Sequence, residues 1–471
     1  MSDGTANGTD SSRGTGPSGG MDRTFDVIVI GLGPGGEHVA GSLAERGLRV
    51  LALDDRLVGG ECPYWGCIPS KMMIRAADAL AEARRVDGLA GTVGEVTPDW
   101  SVVARRIRDE ATDDWDDQVA VDRLVGKGAT FVRGRGVIEG SGRVAVDGTT
   151  YTATTGIVVN TGTTAAVPPI EGLADTPYWT NHEIIEATEL PASIIVLGGG
   201  AIGCELSQVM ARFGVDVTVV EAADRLLALE EPEASTVLAS TFESEGITVR
   251  QGVGAEKVVH DGHTFTVTLA DGSVISAERL LVATGRRADL RAVGLHRVGV
   301  AEDARTVPVD DRCRVTGGVW AVGDITGKGA FTHVSMYQAG IVIRDVLGDD
   351  GPPASYAALP RVTFTDPEVG SVGLTEKQAR EQLANVQVGV TPIGETTRGW
   401  IAKADGLIKL VADADRGVLV GATTMGPAGG EVLGALAVAV HAEVPLERLR
   451  SMIYAYPTLH RGIEDALGRL A

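Results

Sequence analysis

Cysteine is scarce in this chain. There are four in 471 residues, Cys62, Cys67, Cys204 and Cys313. So few do not build the disulfide scaffold of a small secreted domain. Histidine is nearly as thin, at eight residues. The one close pair, His260 and His263, has no carboxylate–histidine constellation around it, so no metal site is expected. Basic residues are outnumbered, 42 Lys and Arg against 63 Asp and Glu, for a formal charge of −21. A nucleic-acid partner is therefore not expected, since binding phosphates takes an excess of Lys and Arg. No uninterrupted apolar run is long enough for a bilayer, and no basic segment followed by an apolar stretch opens the chain. Neither a membrane span nor a signal peptide is expected, and a cytoplasmic enzyme fits.

Two things are plentiful. The apolar fraction, 44%, is enough to bury real cores. Glycine reaches 63 residues without a G-X-Y period, which excludes collagen. The glycines gather instead where strands turn into helices. Only residues 1–20, rich in Gly, Ser, Thr and Asp, lack apolar content, and they are expected to be a disordered tail.

From Phe25 to Ile30 the chain reads as a buried strand. Gly31-Leu32-Gly33-Pro34-Gly35-Gly36 follows, then a helix from near Glu37, then a strand Arg49 to Leu53 ending at Asp54. This order is what a dinucleotide-binding βαβ unit requires. Gly31, Gly33 and Gly36 let backbone approach a pyrophosphate at the positive helix terminus, and Asp54 is placed to accept from ribose hydroxyls. The pattern recurs about 170 residues on. Ser193 to Leu197 is a strand, Gly198 to Gly203 is the turn with Gly198, Gly200 and Gly203, and Val215 to Val220 is a strand ending at Glu221. Two such units imply two dinucleotide sites. An acid at position 221 favours a free 2′-hydroxyl over a 2′-phosphate, so NADH is expected over NADPH, with Arg225 the one nearby cation that argues otherwise. Residues 71–125 read as helical. Beyond residue 356, strands Leu407 to Val411 and Val418 to Thr423 with a helix Glu431 to His441 suggest an α+β unit.

Between the two turns lies Gly59-Gly60-Glu61-Cys62-Pro63-Tyr64-Trp65-Gly66-Cys67-Ile68-Pro69-Ser70-Lys71. Two thiols four residues apart can close a small ring if the chain bends, and Pro63 and Gly66 allow a bend. Read alone, they can equally be two unpaired thiols.

That segment closely resembles the redox motif of the pyridine nucleotide–disulfide oxidoreductases, which include dihydrolipoamide dehydrogenase, glutathione reductase and mercuric reductase. The resemblance runs from about residue 23 to the end. Val319-Trp320-Ala321-Val322-Gly323-Asp324 resembles the second FAD contact of that family, and Asn160-Thr161-Gly162 with Ala283-Thr284-Gly285-Arg286-Arg287 resemble its paired domain-crossing turns. The resemblance implies an FAD enzyme that takes hydride from NAD(H) and passes electrons to a Cys62–Cys67 disulfide. Cys67 would be the thiolate beside the flavin and Cys62 the exposed thiol that meets substrate. Lys71 and Glu205 would pair near the flavin N5. Gly60, Thr161, Gly162, Gly323, Asp324 and His333 would join the FAD contacts, and Gly285 and Arg286 the cofactor set. Cys204 and Cys313 are structural. The implied fold is α/β, with two Rossmann-like domains for FAD and NAD and an α+β C-terminal dimerisation domain. The expected boundaries are 21–160 for the first part of the FAD domain, 161–284 for the NAD domain, 285–355 for the second FAD part and 356–471 for the homodimer interface.

The C-terminus departs from the family. Where disulfide-reducing members carry His-Pro-Thr, this chain reads Tyr456-Pro457-Thr458, with His460 further on. An imidazole titrates near about 6.5 and a phenol near about 10, so Tyr456 is a poor neutral-pH base. Either Tyr456 or His460 would have to serve. Mercuric reductases share the Glu-Cys-Pro-Tyr-Trp wording but end in a vicinal cysteine pair, and no cysteine follows Cys313. The expected function is an NADH- and FAD-dependent reductase of a small-molecule acceptor. The alternatives are a dihydrolipoamide dehydrogenase-like enzyme, a flavin-level quinone or metal-ion reductase, and a non-catalytic redox sensor.

Overall fold

The computed structural model describes residues 23–471, so the tail expected over residues 1–20 lies outside the described residues. Thr24–Ile30 is the central strand of the first sheet, parallel to Val50–Asp54 on one side and Thr149–Val159 on the other. The sheet continues to Thr130–Arg133 at one edge and to Val319–Ala321 and Arg314–Thr316 at the other. Val27 and Val29 pack with Val39, Ala40 and Leu43 of the helix Pro34–Glu45, while Ile28 and Ile30 face the opposite way into a second cluster with Leu51, Ile138 and Val144. A strand covered on both faces reads as a continuous apolar run, because alternate side chains point to opposite faces.

The second unit repeats this plan. Ser193–Leu197 lies between Asp216–Glu221 and Arg279–Val282, all parallel, with Thr248–Gln251 at the far edge. Ile194 and Val196 face one core, Ile195 and Leu197 another. The chain passes between the two units through a short antiparallel ladder, Thr164–Ala165 against Arg286–Arg287. From Pro360 onward five antiparallel strands form a separate sheet, covered by the helix Gly429–His441. Leu433, Leu436, Ala439 and Val440 of that helix are buried in the same core as Ile408 and Leu410, while Val438 points outward.

Residues 71–125 are not one helical stretch. Helices cover Cys67–Arg84, Trp100–Arg106 and Gln118–Gly126, with irregular chain over 85–99. Gly88, Gly91, Gly94 and Pro98 all fall in that gap, and each weakens or ends a helix. Asp99 then restarts one by accepting from the Ser101 backbone N–H at 2.9 Å. The first glycine-turn helix begins at Pro34 rather than near Glu37, as suits a proline in the first helical turn. Among the described residues, no helix is long and apolar enough to cross a membrane.

Candidate active site

The first glycine turn is set by backbone crowding. Gly31 has φ +87°, and a Cβ there would collide with the Asn160 carbonyl. A Cβ on Gly36 would strike the Gly31 carbonyl, so helix and strand close on each other only through glycine. Asn160 ties the turn down: its Oδ1 accepts from the Gly36 N–H at 2.7 Å and its amide donates to the Val322 carbonyl at 2.9 Å. Asp54 accepts from the backbone N–H of Leu32 at 2.6 Å and of Arg56 at 2.8 Å. Burial pushes its carboxyl above the ordinary range.

The second turn is built the same way. A Cβ on Gly203 would meet the Gly198 carbonyl. Glu221 accepts from Gly199 N–H and Ala223 N–H, both at 2.6 Å. Nothing lies within 4 Å of the place a Gly200 Cβ would occupy, which leaves the helix N-terminus open for a phosphate.

Both turns open on one continuous cleft of about 2160 Å³. Gly31, Gly33, Asp54, Gly60, Thr161, Gly162, Asp324 and His333 line one part, and Gly198, Gly200, Glu221 and Gly285 another. The fit to two dinucleotides is good: open backbone donors, acids at the strand ends and glycine wherever a side chain would block approach. Gly36, Gly203 and Gly323, expected as cofactor contacts, do not line the cleft. They lie behind it as packing glycines, and the Gly323 N–H is taken by Gln338 at 2.7 Å. Asp324 accepts from the Thr163 hydroxyl at 2.9 Å, and Arg286 donates to Thr163 Oγ1 at 2.9 Å. Burial raises the Asp324 carboxyl.

Cys62, Cys67, Lys71 and Glu205 meet where the two parts of the cleft join. Both cysteines are free thiols here. Cys67 heads the helix Cys67–Arg84, and its Sγ lies 3.5 Å from the Thr332 hydroxyl. The Cys62 thiol donates to it, and with Thr332 and the Lys71 charge this outweighs burial and lowers Cys67 to about 6. Cys62 moves the opposite way, because sharing its proton with Cys67 and burial both raise it. The charge thus sits on Cys67 and the proton on Cys62, as a helix N-terminus favours. Cys67 is exposed and Cys62 half-buried, and both line the cleft. The turn between them is tight: a Gly66 Cβ would lie 3.2 Å from the Cys62 Cα. Lys71 Nζ donates to Glu205 Oε2 at 2.7 Å, and the other Glu205 oxygen accepts from the Phe364 backbone N–H at 2.8 Å. The Phe364 ring lies 4.5 Å from Lys71 Nζ.

Tyr456 and His460 are not brought to this cleft within the chain. Tyr456 is 65% exposed and donates to Thr397 Oγ1 at 3.3 Å. His460 sits near Tyr454, ring centres 6.3 Å apart. Thr332 and Phe364 escaped the sequence reading, because each reaches the site from a distant segment with no motif of its own.

The comparisons with known proteins cover nearly the whole chain. The family model described as "Pyridine nucleotide-disulphide oxidoreductase" matches residues 25–339, and that of its dimerisation domain matches 359–467. A dihydrolipoyl dehydrogenase of Chlorobaculum tepidum is 33% identical over 453 residues, 94% of this chain and 96% of that protein. A mercuric reductase of Bacillus cereus is 30% identical over 451 residues, covering 94% of this chain and 71% of that protein. Among solved structures, the Cu(II) complex of the HOCl-induced flavoprotein disulfide reductase RclA from Escherichia coli superposes with a TM-score of 0.81 at 26% identity, over 94% of this chain and 99% of that one.

Proposed function

The chain belongs to the pyridine nucleotide–disulphide oxidoreductases, a flavin-dependent homodimeric enzyme family, and from that premise we propose that it carries electrons from NADH through FAD to the Cys62–Cys67 pair and on to a small-molecule acceptor. The observation that carries the reading is the convergence of the thiol pair, the Lys71–Glu205 ion pair and both glycine turns on one cleft. FAD, held along the first turn, Asp54 and Asp324, would supply the relay between a hydride donor and a dithiol.

The residues of the chain do the rest. Glu205 is held from two sides, so Lys71 stays fixed in the cleft as a cation beside the reacting centre. The Cys67 charge sits on a helix N-terminus and next to the Thr332 hydroxyl. With a disulfide acceptor, Cys62 gives up its proton as its sulfur attacks one substrate sulfur, and the other substrate sulfur takes that proton and leaves as thiol. The Cys67 thiolate then attacks Cys62, the second substrate sulfur leaves as thiolate and takes a proton from water, and the Cys62–Cys67 disulfide awaits two electrons and a proton from the next NADH.

NADH is favoured over NADPH. The Glu221 carboxylate is fixed at the strand end by two backbone N–H groups, next to Ala222. Arg225, the one nearby cation that could accept a 2′-phosphate, turns its guanidinium onto the carbonyls of Ala228 and Glu230 at 2.8 and 2.9 Å. A preference for NADPH above tenfold in kcat/KM would contradict this.

A second reading, oxidation or reduction of a small dithiol as in dihydrolipoyl dehydrogenases, is favoured by the 33% identity to one. Tyr456 at the histidine position weighs against it. The proposal is tested by anaerobic titration of the purified flavoprotein with NADH. It expects about two equivalents per chain, one for flavin and one for a disulfide. Uptake of a single equivalent, with no thiols released, would remove the dithiol from the path.

A further inference from the structure

The segment that carries the two cysteines is fastened on its outer side by residues with no part in the chemistry above. Glu61 immediately precedes Cys62, and Trp65 lies between the cysteines. Both reach the N-terminus of the helix Asn181–Glu186, which belongs to the second nucleotide-binding unit. Glu61 Oε1 lies 2.9 Å from His182 Nε2, and Asn181 donates to Glu61 Oε2 at 3.2 Å. Trp65 is held three times. Its ring stacks on His182, with centroids 4.4 Å apart and planes 2° from parallel. Its indole N–H donates to Glu186 at 2.6 Å, and its carbonyl accepts from Asn181 at 2.8 Å.

Glu61 is an anion here. Burial would raise its carboxyl, but His182, Arg286 and Asn181 outweigh that and hold it at about 2. A carboxylate only accepts, so His182 Nε2 is the donor, and the imidazole is held in place by the acid and in one plane by the indole.

We propose that His182 is a positioning residue for the redox pair: by bonding Glu61 and stacking on Trp65 it clamps the Cys62–Cys67 turn to the second nucleotide-binding unit and keeps the two sulfurs close enough to form their bond readily. The proposal rests on the reading of Cys62–Cys67 as the redox pair. Its consequence is thermodynamic. Oxidation of a dithiol to a disulfide is favoured in proportion to the effective concentration of one thiol near the other. Loosening the clamp lowers that concentration, makes the disulfide less stable and moves the couple to a more oxidising potential. A residue that served only the stability of the fold would leave the potential where it is.

The test is a titration of the flavin-loaded protein against dithiothreitol redox buffers, with the Cys62 and Cys67 peptides alkylated and counted by mass spectrometry. The wild type gives one two-electron thiol couple. His182→Ala, which removes both the bond and the stack, shifts its equilibrium constant about tenfold toward dithiol, ~30 mV for a two-electron couple. His182→Phe keeps a ring on the indole, loses only the bond to Glu61, and shifts it about threefold. A shift below twofold in His182→Phe and His182→Ala overturns the proposal, and where His182→Ala does not fold, His182→Phe decides alone. Failure of the underlying reading looks different: the wild type itself would then show no reversible couple on these two peptides.

Discussion

At the scale of single residues the site rests on two uneven pairs. Cys67 is lowered to about 6 while Cys62 is raised. A thiol ordinarily loses its proton near about 8.5. Because the Cys67 value is depressed, its thiolate persists as pH falls and is lost only below about 6. Iodoacetamide labelling of the reduced protein should therefore stay fast from pH 8 to about pH 6 and drop beneath it, and an inflection near about 8.5 would contradict the assignment. The second pair is Lys71 and Glu205. Lys71→Met leaves the carboxylate of Glu205, 8% exposed, with one donor, Phe364 N–H. Stopped-flow flavin reduction by NADH should slow on the order of 10²–10³-fold, with flavin content retained. Cys62, Cys67 and Lys71 were legible in the sequence, since they share one short motif, while Glu205, 134 residues from Lys71, came only with the family resemblance. Their supports were not: Thr332 is 265 residues from Cys67, and Phe364 is 159 residues from Glu205. Nothing local in the chain marks a hydroxyl or a backbone N–H for such a task.

At the scale of elements the glycine turns carry the two nucleotide sites. Gly36 and Gly203 occupy equivalent places, each under the carbonyl of its turn's first glycine. Their alanine variants should separate the sites. Gly36→Ala should lose flavin on purification, seen in the ratio of visible to ultraviolet absorbance. Gly203→Ala should keep flavin but raise KM for NADH on the order of 10–100-fold. A variant that lost the other cofactor instead would break the assignment of turns. These elements were readable because strand, glycine turn, helix and acid are contiguous. The helical reading of residues 71–125 matches helices on both sides but missed the irregular chain over 85–99, because those helix-forming stretches hid its spaced glycines.

At the scale of the whole molecule, buried charges pin the C-terminal sheet to the second nucleotide unit. Lys409 is 2% exposed and meets Glu231, Glu233 and Glu376 at 2.9, 2.7 and 2.8 Å. Arg212, 3% exposed, joins Asp78 and Glu245 to Asp366. Lys409→Met leaves Glu231 and Glu233 without a cation, only Glu376 keeping Arg380 at 2.8 Å, and should lower stability by about 3–5 kcal/mol, read by denaturant unfolding of the holoprotein. Around that sheet, within the matched dimerisation domain, stand outward apolar residues: Val438 on the helix Gly429–His441, Trp400 on the helix Thr397–Ala402 and Ile453 in a loop. Ile453→Asp should shift the protein from dimer toward monomer in light scattering. The central claim is about where electrons leave. Anaerobic NADH oxidation with a small disulfide as acceptor, in wild type and Cys62→Ser, tests it most directly. The account predicts that the variant still reduces its flavin with NADH but no longer releases thiols from the disulfide. Disulfide reduction by Cys62→Ser at the wild-type rate would contradict it and move the exit point to the flavin itself.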